Sequence, residues 1–411
     1  VKKNKHPDKK PIRVLHVITR MSVGGAQENT LLSCLGLDKK AEYEITLLSG
    51  EDNGKEGDLI GLAKENCKVI MLPELGRSIN PFSDLLAFWK LYKLTKAGRY
   101  HIVHTHMSKA GVLGRITAKL AGTPIVVHTL HSLVFHDYQP WVINRALRLI
   151  KKFCALFTDY FISVSEIIAR NAIKAGIDRP EKFRAIYSGM ELDWFLNYKG
   201  DGKDVRKEFG IPDDALVVGK IARLFRLKGH EQLFDAAPEI VKRHPNVRFF
   251  LIGDGELTDH FKQRAATQGI SENFVFAGMI DRQRIPEMIS AMDILAHTSL
   301  REGLARVLPQ ALAMGKPCVS FELDGAPEVV IDEKTGYLVR AGDSSGLADA
   351  ISKLLEDPEK RRIFGENGRL HVNPMFQAQK MVDDIADVYQ MLLELYPDRI
   401  AKFDRKFAKS V

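Results

Sequence analysis

No two of the four cysteines, Cys34, Cys67, Cys154 and Cys318, form a C-x-x-C pair. That excludes a disulfide framework and a zinc ribbon, and a reducing cytoplasm is the expected setting. Long apolar runs are lacking as well. Near the start there is only Val14 to Ile18, and nowhere a stretch of membrane-spanning length, so a soluble or at most peripheral protein is expected. Aromatic residues are not interleaved with cations along any groove-like stretch, and helix-turn-helix, zinc-finger and RNP-like motifs are missing, so nucleic acid is not an expected partner. Repeats of solenoid period are absent. There is no G-x-G-x-x-G after the first strand and no suitably placed acid at the end of the second, which removes the dinucleotide fingerprint.

With 411 residues, 45% of them hydrophobic, the chain is long enough for two domains with separate cores. Short β-branched runs recur at Arg13 to Ile18, Glu44 to Leu48, Lys68 to Met71, Ile102 to His104, Ile125 to His128 and Tyr160 to Val164, with helical patterns between them. That is the rhythm of βαβ units and a parallel sheet. A polar stretch, Asn197 to Asp204, reads as a linker. The rhythm then restarts at Val217 to Ile221, Val247 to Ile252, Asn273 to Phe276, Ile294 to Ala296 and Cys318 to Phe321. The expected fold class is α/β, two doubly wound Rossmann-like domains whose facing edges make a cleft: residues 1–196 and 197–375, with helix from about 376 to 411.

The net charge of +8 is unevenly placed. VKKNKHPDKK opens the chain as a basic arm, and WVINRALRLIKKFCALF, residues 141–157, sets Arg145, Arg148, Lys151 and Lys152 among large apolar residues with no acid. On a helix this pattern fits either an anionic membrane interface or the ordinary packing of an amphipathic helix on a sheet.

REGLARVLPQALAMGKP, residues 301–317, carries the most chemistry. Pro309 is tolerated only in a first helical turn, so a helix is expected to start near Ala305 or Arg306, and Gly315 to stop it. The amides of Gly303, Leu304 and Ala305 then point outwards at the positive end of the helix, where a phosphate is stabilised. Glu302 at that mouth suits hydroxyl donors such as those of a sugar; alternatively it only favours the helix start, and Gln310 is a surface residue. In GKIARLFRLKGH, Arg223 falls just past a strand and Lys228 before a helix, at the carboxyl edge where open α/β sheets bind ligands. Arg223 offers bidentate contacts to phosphate oxygens and Lys228 a compact charge. Gly253 in LIGDGE and Met279 in FAGMIDR line the same edge.

In the first half, Gly24 and Gly25 form a turn that lets backbone approach an anionic ligand at a helix start, or they are simply a steric glycine turn. His101, His104, His106, His128 and His131 fall near strand ends without carboxylates of the usual ligand kind, so no metal is expected. His131 is the best placed of them to face a cleft. Ser108 and Lys109, after His106, look like a second helix-start site.

Together these motifs are recognisable. GGAQE (24–28), HTHMSKAGVLGR (104–115), VVHTLHS (126–132), FISVSE (161–166), IYSGME (186–191), ARLFRLKG (222–229), IGDGE, FAGMI and EGLARVLPQALAMGKP stand in an order and spacing that resembles the retaining glycosyltransferases of family 4, with the GT-B fold, over nearly the whole chain. The resemblance implies that the first domain binds the acceptor, with His106, Ser108 and Lys109 on that side, and the second the nucleotide sugar. It implies a C-terminal helix that crosses back to the first domain. Arg223 and Lys228 match the cations on the donor diphosphate, Gly24 and Gly25 the loop that closes on it, and Glu302 the residue on the donor sugar, with the following amides on phosphate. His131 matches the active-site histidine. The second glutamate of the family's E-x7-E motif is here Gln310, which keeps hydrogen-bonding capacity towards the ribose but loses the charge.

The implied reaction is retaining, metal-independent transfer of a hexosyl or N-acetylhexosaminyl group from a nucleotide diphosphate sugar, UDP being the common choice in the family. The acceptor is a hydroxyl of a glycan or lipid-linked molecule in surface polysaccharide or glycolipid synthesis, and no cofactor is required. Two rivals use the same architecture: a nucleotide-sugar epimerase, and a catalytically silent sugar-nucleotide-binding protein.

Overall fold

The structure, a computed structural model, describes residues 10–51 and 57–408. The basic arm, except Lys10, lies outside the described residues. The chain divides into two units, Val1–Met190 with Ala378–Val411, and Glu191–Gln377. The stretch expected to be a linker is folded into the second unit: helices Asp193–Leu196 and Lys203–Glu208 bracket it, and Gly202 is buried against Ala291.

The first unit is built on a seven-stranded sheet, β1 (Ile12–Ile18), β2 (Tyr43–Ser49), β3 (Lys68–Met71), β4 (Ile102–His106), β5 (Ile125–Leu130), β6 (Tyr160–Ser163) and β7 (Phe183–Ala185). All pairings are parallel, in the order β3-β2-β1-β4-β5-β6-β7. Both faces are covered by helices, which is why β1 reads as an almost unbroken apolar run, IRVLHVI, rather than an alternating one. The second unit repeats the plan with β8 (Leu216–Ile221), β9 (Val247–Ile252), β10 (Phe274–Gly278), β11 (Ile294–His297), β12 (Cys318–Phe321) and β13 (Gly336–Val339), in the order β10-β9-β8-β11-β12-β13. Its core holds Phe234, Phe249, Phe261 and Phe274, with the Phe234 and Phe274 rings stacked at 4.2 Å. The expected strands are all present; β7 and β13, three and four residues long, lack a pattern strong enough to be read in advance.

The C-terminal helix Ala378–Leu395 packs on helix Gly25–Lys39 of the first unit. Gly36 makes the approach possible, since a Cβ there would meet Val382 at 2.3 Å. Lys40 pairs with Asp383 at 2.7 Å beside this contact, and Tyr389 is driven fully into the core of the first unit. In both units the strand order reverses next to the first strand, between β1 and β4 and between β8 and β11. Loops at such a reversal diverge and leave a crevice at the carboxyl ends of the strands.

Candidate active site

In the second unit the loop after β8 carries Arg223 and Lys228, and the loop after β11 carries Glu302. Hydrogen bonds from Ala222 to Ile252 and from Leu224 to Asp254, with the Leu224 side chain fully buried, pin the first loop down. The two loops are sewn together by Leu300 N–H donating to Leu227 O at 2.9 Å. Gly229, at φ 68°, is required here: a Cβ would sit 1.5 Å from the carbonyl oxygen of Thr298.

Lys228 Nζ and Glu302 Oε1 stand 2.5 Å apart, each side chain about a quarter exposed (25% and 27%). Ser299 Oγ donates to the same carboxylate oxygen at 3.0 Å, and the Glu302 amide donates to Asp324 at 2.6 Å. Burial opposes ionisation of Glu302, but Lys228, His297 and the Ser299 hydroxyl outweigh it and hold the carboxyl below its ordinary range. Arg223 is exposed at the rim, its guanidinium 5.1 Å from the Phe225 ring centre.

Under this pair lies Lys220, a fully buried lysine whose Nζ donates to Thr298 Oγ1 at 2.8 Å. Burial, with the like charge of Lys228 added, pulls its pKa down to about 7 against the opposing effect of Glu302 and Glu231. Burial likewise lowers His297 and His230 to about 3. Lys220, Thr298, Ser299 and Asp324 escaped the sequence reading. The one available signal was a lysine inside the buried strand run LVVGKI, because a charge in such a run has to serve something.

The helix after Glu302 starts at Val307, with Arg306 as its cap, one or two residues beyond the expected start at Ala305 or Arg306. Gly303, Leu304 and Ala305 instead form a buried turn, and the Gly303 carbonyl accepts from the Gly325 amide at 3.1 Å. Gln310 is half-buried on that helix. Gly253 follows β9 and hydrogen-bonds Gly278, and Met279 follows β10 and is exposed.

In the first unit, His131 follows β5, and its Nε2 is 3.1 Å from Nδ1 of His106. His106 does not stand in the open beside it: it is fully buried, and its Nε2 lies 3.0 Å from Nδ1 of His16. The line continues through His16 Nε2 to the Tyr389 hydroxyl (3.2 Å), from there to His104 Nδ1 (2.6 Å), and from His104 Nε2 to Thr129 Oγ1 (2.7 Å). Burial pushes His16 and His131 down to about 3 and His104 and His106 well below the ordinary range, so all four imidazoles are neutral near pH 7. A neutral imidazole has one N–H and one acceptor nitrogen. Every link is satisfied when all donors point the same way along the line, with the Tyr389 hydroxyl accepting on one side and donating on the other. In one polarity His131 donates through Nε2 and presents Nδ1 as a bare acceptor; in the other Nδ1 carries the proton. His16, Thr129 and Tyr389, partners missed in the sequence, are polar groups inside apolar patterns.

Ser108 opens helix Ser108–Ala121. Lys109 is directed away from that opening: its Nζ donates to the carbonyls of Gly76 (2.8 Å) and Ser78 (2.6 Å) and pairs with Asp84. Gly24 caps helix Gly25–Lys39 at φ 174°, a conformation open to any residue; a Cβ would press on Gln27 at 2.8 Å.

Comparison with known proteins assigns the two halves of the chain. Residues 23–194 match the family described as Glycosyltransferase Family 4, and residues 201–371 the one described as Glycosyl transferases group 1. The chain carries a family 4 and a group 1 glycosyltransferase domain. The family 4 match covers His104, His106 and His131 of the histidine line, whose His16 and Tyr389 lie outside it, and the group 1 match covers the Lys228–Glu302 pair. Among relatives, the Escherichia coli UDP-Gal:alpha-D-GlcNAc-diphosphoundecaprenol alpha-1,3-galactosyltransferase is 29% identical over 92% of this chain and 96% of its own length. The Staphylococcus aureus capsular polysaccharide biosynthesis glycosyltransferase CapM is 24% identical over 87% and 92%. The crystal structure of Anabaena Alr3699/HepE in complex with UDP shares the fold at a TM-score of 0.78 and 23% identity, covering 92% of this chain and 100% of that one. Sucrose-phosphate synthase from Thermosynechococcus elongatus does so at 0.77 and 21%, covering 93% and 100%. The fold is therefore GT-B, two Rossmann-like parallel sheets with helices.

Proposed function

We propose that this protein transfers a hexosyl or N-acetylhexosaminyl group from a UDP-sugar to a hydroxyl of a glycan or lipid-linked acceptor, with retention and without a metal ion, in surface polysaccharide or glycolipid synthesis. The observation that carries the reading is Lys228, held 2.5 Å from Glu302 beside Arg223 at the strand-order reversal of the group 1 domain. Such a pair offers a diphosphate two cations and offers sugar hydroxyls a carboxylate. In the reaction the bond from the anomeric carbon to the diphosphate oxygen breaks and that to the acceptor oxygen forms on the same face. The acceptor proton passes to the departing phosphate oxygen, whose growing charge Arg223 and Lys228 stabilise. His131 binds on the acceptor side, with Ser108, and Gln310 takes the ribose. The names of the relatives support the reading: one uses UDP-Gal on a diphosphoundecaprenol-linked sugar, and HepE is described in complex with UDP-glucose.

A thermal-shift panel of UDP, GDP and ADP and their sugars, run with EDTA, tests it. UDP and a UDP-sugar are expected to raise the melting temperature by mass action, and NMR of the product is expected to show the anomeric configuration of the donor kept. A sugar nucleotide that isomerises with no acceptor present would establish the epimerase instead. Turnover that appears only in Gln310→Glu would establish a silent binding protein.

Contact with an anionic membrane, on the cytoplasmic face, belongs to the same proposal. No helix among the described residues is long and apolar enough to cross a membrane. Helix Trp141–Ala155 is, however, turned inside out: Lys151 and Cys154 are buried, while Trp141 (71% exposed), Val142, Leu149, Ile150 and Phe153 face outwards beside Arg145, Arg148 and Lys152. Burial, with Arg115 adding to it, lowers Lys151 to about 7. Helix Pro81–Gly98 likewise directs Phe82, Leu85, Leu86 and Trp89 outwards, at the spacing of a single stripe. Ordinary packing on the sheet would place these residues inwards. Vesicles of phosphatidylglycerol that fail to co-sediment the protein at low salt would rule this part out.

A further inference from the structure

At the amino edge of the family 4 sheet, where β5 and β6 begin, lies a cavity of about 620 Å³. Six residues of β5 separate Pro124, on its wall, from His131, roughly 20 Å at the usual rise of a strand. It is not part of the site described above. Its walls carry Lys119, Arg179, Lys182, Arg399, Lys402 and Lys406. They come from the end of helix Ser108–Ala121, the turn before β7, and the last helix, Pro397–Ala408.

Against these cations the lining offers one carboxylate, Asp159, which is already committed: it pairs with Lys119 at 2.5 Å and with Arg399 at 2.8 Å, and accepts the Val126 amide at 2.8 Å. Lys182 pairs with Asp178 at 2.8 Å, outside the lining. Burial lowers the Lys119 pKa, and Arg399 and Lys182 push it further down against the pull of Asp159. Lys119 is thus repelled by two of its cationic neighbours and partly withdrawn from the water that would screen it. Arg399 is held in place by its stack on Tyr396, 4.0 Å from the ring centre. Leu156, 77% exposed, stands on the wall of the cavity and continues the outward apolar row of Leu149 and Phe153.

We propose that this cavity binds a phosphate group, at a site separate from the donor and acceptor sites. A phosphate supplies negative charge opposite Arg179 and Lys402, and its several acceptor oxygens can serve a guanidinium and an ammonium group at once. The apolar row leading to the rim suits a phosphate with a hydrocarbon tail, the headgroup of an anionic lipid; a free phosphate or diphosphate satisfies the same cations.

The test uses the full chain with Arg223→Ala and Lys228→Ala, so that the donor site does not contribute. Isothermal titration with inorganic pyrophosphate is compared with and without the further changes Arg179→Ala and Lys402→Ala, both at exposed positions. Saturable binding that weakens by at least about 10-fold is expected. Absent binding, or equal binding in both proteins, would overturn the site. Sedimentation with phosphatidylcholine vesicles, with and without phosphatidylglycerol, identifies the source. Loss of the preference for phosphatidylglycerol in the pocket variant assigns a lipid headgroup, and an unchanged preference alongside weakened pyrophosphate binding assigns a soluble phosphate. Arg145→Ala with Arg148→Ala separates this from the membrane proposal above: it is expected to reduce vesicle binding and leave pyrophosphate binding unchanged.

Discussion

Both domains bring their chemistry to the reversal of strand order, yet they build it from opposite materials. In the group 1 domain the groups are ions: Lys228 against Glu302, with Lys220 buried beneath and close to giving up its proton. In the first unit they are neutral: four imidazoles and a phenol passing hydrogen bonds in a line from His131 to His104. A partly buried ion pair carries a desolvation cost but presents a field to an incoming anion. A neutral line avoids that cost and presents no net charge, only a direction. The first arrangement suits a diphosphate, the second the orientation of a hydroxyl.

The sharpest way to break this contrast is to remove the charge. Lys228→Ala is expected to lower transfer by about 100- to 1000-fold, in the manner of a lost oxyanion donor, while histidine NMR signals of the family 4 domain stay in place. A smaller loss in steady-state turnover would mean that Arg223 carries the diphosphate alone.

Acid should strike the neutral line first. The folded imidazoles bind their protons less readily than unfolded ones, so the stability they confer is fully present above about 6.5 and is lost as pH falls towards about 3. His230 and His297 in the group 1 domain add to the same loss, but the first unit holds His16, His104, His106, His128 and His131, all lowered by burial. Hydrogen exchange between pH 6.5 and 4 is expected to show β1 and β4 opening before β8 and β11. The reverse order would contradict the contrast.

Tyr389→Phe interrupts the line at its centre and leaves His16 Nε2 and His104 Nδ1 without this partner. A cost of about 1–3 kcal/mol is expected from chemical denaturation. With His131 no longer tied to His104, nitrogen-15 spectra of labelled histidine are expected to report a changed ratio of the two His131 tautomers.

The smallest effect sharpens the charged side. A diphosphate beside Lys228 favours the charged form of Lys220 and raises its pKa from about 7. Donor binding near pH 7.5 is therefore expected to take up a fraction of a proton, measured as a dependence of the calorimetric heat on buffer ionisation. Lys220→Met should remove that dependence.

Much of this was legible in the sequence because it depends on local rules. Apolar runs bounded by glycine and polar residues announced eleven of the strands, since a strand covered on both faces must be apolar throughout. Arg223, Lys228 and Glu302 were legible because a strand end is a fixed address in an open α/β sheet. The helix after Glu302 starts one or two residues later than its pattern suggests, because residues 303 to 305 form a buried turn against Gly325. The linker was misread because glycine and charge mark a close approach to Ala291 as readily as a flexible joint.

By itself, then, the sequence determined the two parallel sheets, the loops that carry the cations and the carboxylate, and the basic, acid-free character of residues 141–157. Only the tertiary structure decided which face of that helix is turned outwards, that Lys228 is held by Glu302, and that His16 and Tyr389 complete a line with His131. Hydrophobic periodicity is a property of neighbours along the chain. Burial, pairing and proton affinity depend on partners as far apart as His16 and Tyr389, and those are fixed only when the C-terminal helix docks on the first domain.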